Sequence, residues 1–232
     1  MKTRKVSIFG DSIFKGVQLD KGRGSYVVKD DLGFDEIAER AGYSVQNFSK
    51  FGCTITKAWD YLQKMFPKID ADLVLMDFGG NDCDFDWRAI SESPLNIHRP
   101  NTDYYEFIDT YNKVVDYTVS RRRMPVIATL VPIQSEMYID YVCRTKDLER
   151  RNISKWLGGD TGRIEHYQSV YSDAVKAVAT RRDIPVIDIR AAFEAKGDTA
   201  SLMCEDGIHP NSRGQAVIHD CFEAFMDDYI VL

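Results

Sequence analysis

The sequence predicts an α/β fold, a three-layer α/β/α sandwich in which a five-stranded parallel sheet lies between two layers of helices. Three observations predict it. Five short β-type runs alternate with helical patterns along 232 residues, the signature of strands joined by helical crossovers. Three of those runs are nearly continuous in apolar residues, as parallel strands covered on both faces require. Two junctions also repeat one punctuation, SRRRMPVIATL at 120–130 and TRRDIPVIDI at 180–189. In each, arginines close a helix at the negative end of its dipole, a proline bars continuation, and a Val-Ile strand follows.

The elements follow in order. Lys5–Phe9 (KVSIF) is the first strand. Phe34, Ile37, Ala38 and Ala41 repeat at helical spacing and stop at Gly42. Tyr43–Phe48 is the second strand, and Ile55, Trp59, Leu62 and Phe66 mark a second helix ended by Pro67. The third strand is Asp72–Phe78 (DLVLMDF), followed by a helix through Tyr104, Phe107, Tyr111 and Val115. Pro125–Val131 and Ile184–Ile189 are the fourth and fifth strands, with a helix through Ile164, Tyr171, Ala174 and Val178 between them. A short helical stretch at 190–196 precedes the last helix, which runs through Val217, Cys221, Phe222 and Tyr229. Residues 1–232 read as one domain. The polar segment 134–159 is too long for a plain connection and is expected to be an excursion over the face at the strands' carboxyl ends.

That face matters because ligands in open α/β sheets bind outside the carboxyl ends of the strands. Four loops aim chemistry at it. Gly10-Asp11-Ser12 follows the first strand, and Gly52 follows the second. Gly79-Gly80-Asn81-Asp82 follows the third, and Asp206-Gly207-Ile208-His209-Pro210 comes late in the chain. Taken alone, Gly, Asp and Ser are ordinary turn formers. As a set, the loops offer what acyl transfer needs. A serine hydroxyl becomes nucleophilic when an imidazole takes its proton, and the imidazole needs a carboxylate on its other nitrogen. Asp206 and His209, three residues apart, can supply that pair from one loop. The Ser12 and Gly52 backbone N–H groups and the Asn81 side-chain amide can supply oxyanion donors. Ser212 and Gln215 form a capping-box pattern at the start of the last helix, and Asp82 is expected to hold its own loop through backbone N–H groups.

These blocks, FGDSI at 9–13, Asn47 to Gly52, GGND at 79–82 and DGIHP at 206–210, resemble the SGNH (GDSL-type) hydrolase family in type and order. Ile13 and Ser49 are small departures from its pattern. The resemblance implies a flavodoxin-like strand order 2-1-3-4-5 and ester hydrolysis without metal or cofactor. It also implies catalytic Ser12, His209 and Asp206, with an oxyanion hole at Ser12, Gly52 and Asn81. The expected activity is hydrolysis of small O-acyl esters, acetyl or short-chain, such as those of acetylated sugars. A lysophospholipase, a thioesterase or a non-catalytic binding module on the same fold are the alternatives.

Other readings fail on detail. Asp82, Asp84 and Asp86 resemble the opening of a calcium loop, but Trp87 and Ser93 stand where glycine and glutamate are needed. Gly22-Arg23-Gly24 lacks the strand and third glycine of a dinucleotide fingerprint; the GRGSYVVKD loop is expected to rim the site. His166 and His219 fall within helices, and His98 lies in a polar loop. A net charge of −6 and a pI near 5.3 disfavour nucleic acid and anionic membrane as partners. No apolar run approaches the roughly 20 residues of a membrane helix, and the N-terminal apolar run is too short for a signal peptide, so a cytoplasmic location is expected. Five scattered cysteines without a C-x-x-C read as free thiols. The apolar end Tyr229-Ile230-Val231-Leu232 could reach a partner.

Overall fold

In a computed structural model, which describes residues 4–230, the strand signals become one five-stranded parallel sheet and a separate hairpin. In chain order the elements are β1 (Arg4–Gly10), the hairpin strands β2 (Val17–Asp20) and β3 (Ser25–Val28), α1 (Phe34–Arg40), β4 (Tyr43–Asn47), α2 (Ile55–Met65) and β5 (Leu73–Asp77). Then come α3 (Trp87–Glu92), α4 (Tyr104–Ser120), β6 (Met124–Ala128), α5 (Ser135–Lys146), α6 (Arg150–Trp156), α7 (Gly162–Arg181), β7 (Val186–Ile187), α8 (Ile189–Glu194) and α9 (Ser212–Ile230). The sheet runs β4-β1-β5-β6-β7 with every pair parallel. That is the flavodoxin-like order, in which the chain reverses direction of growth beside β1 and opens a crevice at the carboxyl ends of β1 and β5.

Each layer has its own apolar packing. Phe34 and Ile37 of α1, Phe193 of α8, and Phe222 and Met226 of α9 cover one sheet face. Ile55 and Leu62 of α2, Tyr111 and Val115 of α4, and Val175 of α7 cover the other. A third cluster joins α3, α5 and α6 through Trp87, Ile90, Ile139 and Ile153.

Three local features differ from the sequence expectation. The fifth strand keeps only Val186 and Ile187, because the Asp188 side chain accepts the Ala191 N–H at 3.3 Å and starts α8. The fourth ends at Ala128, and its apolar continuation lines a cavity instead of pairing. The last helix is capped by Asn211, whose Oδ1 accepts the N–H groups of Arg213 and Gly214, so the Ser212 hydroxyl is free to bond Asp31 at 2.6 Å.

Caps also come from distant residues. The Arg123 guanidinium donates to the carbonyls of Phe66 and Ile69, past the end of α2, rather than closing its own helix. The five cysteines are unpaired. Tyr229 packs against the α9 face of the core and donates to Met124 Sδ, while Val231 and Leu232 lie outside the described residues. Among the described residues, no helix is long and apolar enough to cross a membrane.

Candidate active site

Ser12 sits in the turn that follows β1. Asp11 Oδ1 accepts the Ile13 N–H at 2.8 Å and shapes that turn, and the Val17 N–H to Ser12 carbonyl bond at 3.0 Å launches β2 directly from it. His209 arrives on a second closed turn. The Cys204 N–H donates to the His209 carbonyl at 2.7 Å, and the Gly207 N–H donates to the Cys204 carbonyl. Gly207 has φ +71, and a Cβ there would stand 2.7 Å from both the Gln134 carbonyl and the Tyr138 nitrogen. Only glycine allows the start of α5 to close on this loop.

The two turns meet in a hydrogen-bonded line. Asp206 Oδ2 lies 2.7 Å from His209 Nδ1, and His209 Nε2 lies 2.9 Å from Ser12 Oγ. Asp206 Oδ1 also accepts the N–H groups of Ile208 and His209. Burial pushes the Asp206 pKa up, but the hydrogen bond and charge of His209 and the two backbone donors outweigh it, and the net shift is downward. Asp206 therefore stays ionised and can only accept. Nδ1 of a neutral His209 must then carry the proton, and Nε2 is left as the acceptor facing Ser12.

Asn81, after β5, lines the same cavity as Ser12 and His209. Its amide donates to Asp11 Oδ2 at 2.8 Å and, over a longer 3.4 Å, to the Cys53 carbonyl. Gly52 is placed differently. It adopts φ +65 outside the cavity wall, although its neighbour Phe51 lies against the His209 ring, with centroids 6.0 Å apart and planes 16° from parallel. Of the expected site residues, Ser12, Asp206, His209 and Asn81 are thus brought together, and Gly52 borders them.

The cavity holds about 80 Å3 of internal space. Leu130, Val131, Ile133, Ile164 and Ile208 form an apolar wall, while Asp11, Asp77 and Asp84 form an acidic floor. Burial pushes the Asp11 pKa up to about 6 against the N–H of Ile13, the charge of His209 and the Asn81 amide. Burial and the charge of Asp11 push Asp77 well above the usual carboxylate range, and its Oδ2 has no hydrogen-bond partner.

The three aspartates of the suspected calcium loop are otherwise engaged. Asp82 accepts the Ile55 N–H at the start of α2, so it holds a neighbouring helix rather than its own loop. Asp84 accepts from Trp87 Nε1 and the Tyr138 hydroxyl, and Asp86 caps α3.

The expected rim loop is the β2–β3 hairpin. Its Tyr26 ring packs 4.9 Å from the His209 ring. Sequence reading missed both Asp11 and Tyr26 as members of the site; only the Asp-Ser adjacency and a tyrosine in the rim loop hinted at them.

Similarity to known proteins accords with this arrangement. Residues 8–217 match the GDSL-like Lipase/Acylhydrolase family. The chain is 24% identical over 216 residues to a GDSL esterase/lipase of Oryza sativa subsp. japonica, covering 91% of this chain and 73% of that protein. It is 23% identical to an isoamyl acetate-hydrolyzing esterase of Saccharomyces cerevisiae, covering 95% and 84%. The fold superposes on a lipase/acylhydrolase from Enterococcus faecalis with a TM-score of 0.67 at 19% identity, covering 97% and 96% of the two chains. It also superposes on a catalytic mutant of an acetylxylan esterase from Geobacillus stearothermophilus with a TM-score of 0.62 at 18% identity, covering 96% and 94%. The match over most of the chain decides the matter: this protein belongs to the GDSL-like lipase/acylhydrolase family of carboxylic ester hydrolases.

Proposed function

We propose that the protein is a serine esterase that hydrolyses small O-acyl esters, acetyl or short-chain, including those of carbohydrates, through an acyl-enzyme. The observation that carries the reading is the unbroken line from Ser12 Oγ through His209 to Asp206. Ser12 attacks the ester carbonyl while Nε2 takes its proton, and Asp206 stabilises the imidazolium. The same proton passes to the leaving alcohol, and water then repeats the sequence on the acyl group.

The oxyanion receives the Ser12 and Gly52 backbone N–H groups and the Asn81 amide. Asp11 holds one Asn81 N–H, and the other, engaged only at 3.4 Å, is the one that turns to the oxyanion.

Small acyl groups suit the cavity. About 80 Å3 accommodates a few heavy atoms, and each methylene that a pocket excludes is worth roughly 1–3 kcal/mol of discrimination. Two of the similar proteins carry names that specify acetyl esters, which supports the same choice. The chain acts as one domain, with residues 134–159 an excursion over the active-site face. In support, the Gln134 N–H donates to the Gly207 carbonyl, and Tyr138 lines the cavity. The substrate is a small molecule, and neither metal nor cofactor takes part. Unpaired cysteines favour a reducing compartment, the cytoplasm.

Relative kcat/KM on p-nitrophenyl acetate, butyrate, octanoate and palmitate tests the proposal. A maximum at acetate or butyrate, lost in Ser12→Ala, is expected. A maximum at octanoate or beyond would overturn the short-chain assignment in favour of a lysophospholipase or thioesterase. Hydrolysis of none of these esters, with no fluorophosphonate labelling of Ser12, would leave a binding module.

A further inference from the structure

Two exposed aromatic rings stand against the buried His209. Phe51 is 56% and Tyr26 37% exposed, whereas His209 is only 2% exposed. Phe51 lies nearly parallel to the imidazole at 6.0 Å, Tyr26 packs against it at 4.9 Å, and the two rings lie 5.4 Å from each other. Single exposed apolar side chains are ordinary, but two held together over one buried histidine form a patch. Both are carried by backbone tied to the nucleophile turn. The Lys50 N–H donates to the Gly10 carbonyl at 3.0 Å, and the Cys53 N–H closes on the Lys50 carbonyl, a turn that holds Phe51 beside Gly52. Tyr26 sits on β3 opposite Leu19 of β2, and the Val17 N–H to Ser12 carbonyl bond joins β2 to the nucleophile turn. Neither ring belongs to the wall of the cavity that Ser12 and His209 line. His209 thus borders two regions, an apolar-walled cavity and an open aromatic rim.

We infer that Phe51 and Tyr26 form a stacking platform for the leaving alcohol, one that selects a flat ring, a pyranose or an aryl group, over an open chain. The inference rests on the esterase reading. The two halves of an ester diverge from its carbonyl carbon, so each needs its own region. The cavity, with about 80 Å3 of internal space, suits the small acyl group. When the tetrahedral intermediate collapses, the bond from carbon to the alcohol oxygen breaks, and Nε2 passes the proton taken from Ser12 to that oxygen. The alcohol must therefore lie within reach of His209, and the open region beside His209 is the aromatic one. Aromatic faces gain from a second flat face beyond the area that they bury. A flexible chain lying on them gives up rotamer freedom instead.

The test compares acetates of primary alcohols, which share one acetyl-enzyme and differ in kcat/KM only through binding and expulsion of the alcohol. Benzyl acetate and the primary acetate of methyl glucopyranoside present rings, and n-heptyl acetate presents an open chain of similar size. In the unaltered protein, at least one ring ester should exceed n-heptyl acetate in kcat/KM. Phe51→Ala should cut that ratio about three- to ten-fold, and Tyr26→Leu should cut it less. Tyr26→Phe keeps the ring and should keep the ratio. A general disturbance of His209 lowers all three esters together and cancels in the ratio. A loss confined to benzyl acetate identifies an aryl alcohol and a loss confined to the glucoside a pyranose, and either supports the inference. A ratio unmoved by both Phe51→Ala and Tyr26→Leu overturns it, as does a preference of the unaltered protein for n-heptyl acetate, and the esterase reading survives both results. Hydrolysis of none of these acetates, with no fluorophosphonate labelling of Ser12, overturns the esterase reading and the inference with it.

Discussion

Two buried turns flank the Ser12 hydroxyl, and each holds a carboxylate near His209, yet the two carboxylates are driven in opposite directions. Asp206, on the base loop, is held below its ordinary pKa; Asp11, on the nucleophile turn, is raised to about 6. Burial is common to both, so burial does not decide the outcome. Direct contact does. Asp206 accepts the imidazole N–H and two backbone N–H groups, while Asp11 accepts one backbone N–H and one neutral amide and feels His209 only through space. The difference fits their tasks. In the proposed esterase, the carboxylate that fixes the tautomer of the base must remain charged throughout the working range, whereas the one that steadies Asn81 can titrate within it.

The largest effect comes from removing what lies between the two turns. Ser12→Ala should lower kcat roughly 10⁴–10⁶-fold, leaving the residual catalysis of the oxyanion donors. Its circular dichroism and melting temperature should match those of the unaltered protein. Retained turnover would break the comparison by showing that neither turn serves a serine nucleophile.

Breaking the base-loop side comes next. Asp206→Asn should cost roughly 10³–10⁴-fold in kcat, because the amide no longer holds the tautomer that presents Nε2 to Ser12. It should also destabilise the protein at neutral pH. The folded pKa of Asp206 is depressed below 3.8, so its stabilisation is present above that value and is lost as pH falls through the folded pKa. The deficit of Asp206→Asn relative to the unaltered protein should accordingly shrink in strongly acidic buffer, as thermal unfolding at graded pH would show.

Asn81→Ala should lower kcat roughly 10²–10³-fold with little change in KM, the usual consequence of losing one oxyanion donor. A change confined to KM would make Asn81 a residue for substrate orientation alone.

The nucleophile-turn side gives the smallest kinetic effect and a stability change of opposite sign. Asp11→Asn should reduce kcat about ten-fold by loosening Asn81, and should raise the melting temperature at pH 7 by a few degrees. A carboxyl raised from 3.8 to about 6 destabilises the folded state above its folded pKa, by at most about 3 kcal/mol. That penalty fades as pH falls from about 6 towards 3.8, so the gain from Asp11→Asn should disappear near pH 4. In kinetics, the protonation of Asp11 near pH 6 should steepen the acid limb of kcat/KM in the unaltered protein. It should become shallower in the variant. Equal slopes would remove Asp11 from the mechanism.

The sequence alone determined the layered architecture and the edge at which chemistry gathers. Alternating apolar strands and helices admit few topologies, and parallel strands deliver all their carboxyl ends to one side. Ser12, Asn81 and the Asp206–His209 pair follow from that rule, since a three-residue spacing closes the last pair locally. Tertiary structure alone decided which side chains support them. Beside the local Thr54 cap of α2, the Ile55 N–H is taken by Asp82, 27 residues away, and the carbonyls past the far end of the helix by Arg123, 57 residues from Phe66. The helices α3, α5 and α6 are short segments whose periodicity is weak and whose stability comes from packing together. The opposite states of Asp11 and Asp206 were equally hidden. A carboxylate's charge depends on which donors close around it, and those donors converge only when β1, β5 and the base loop have been assembled.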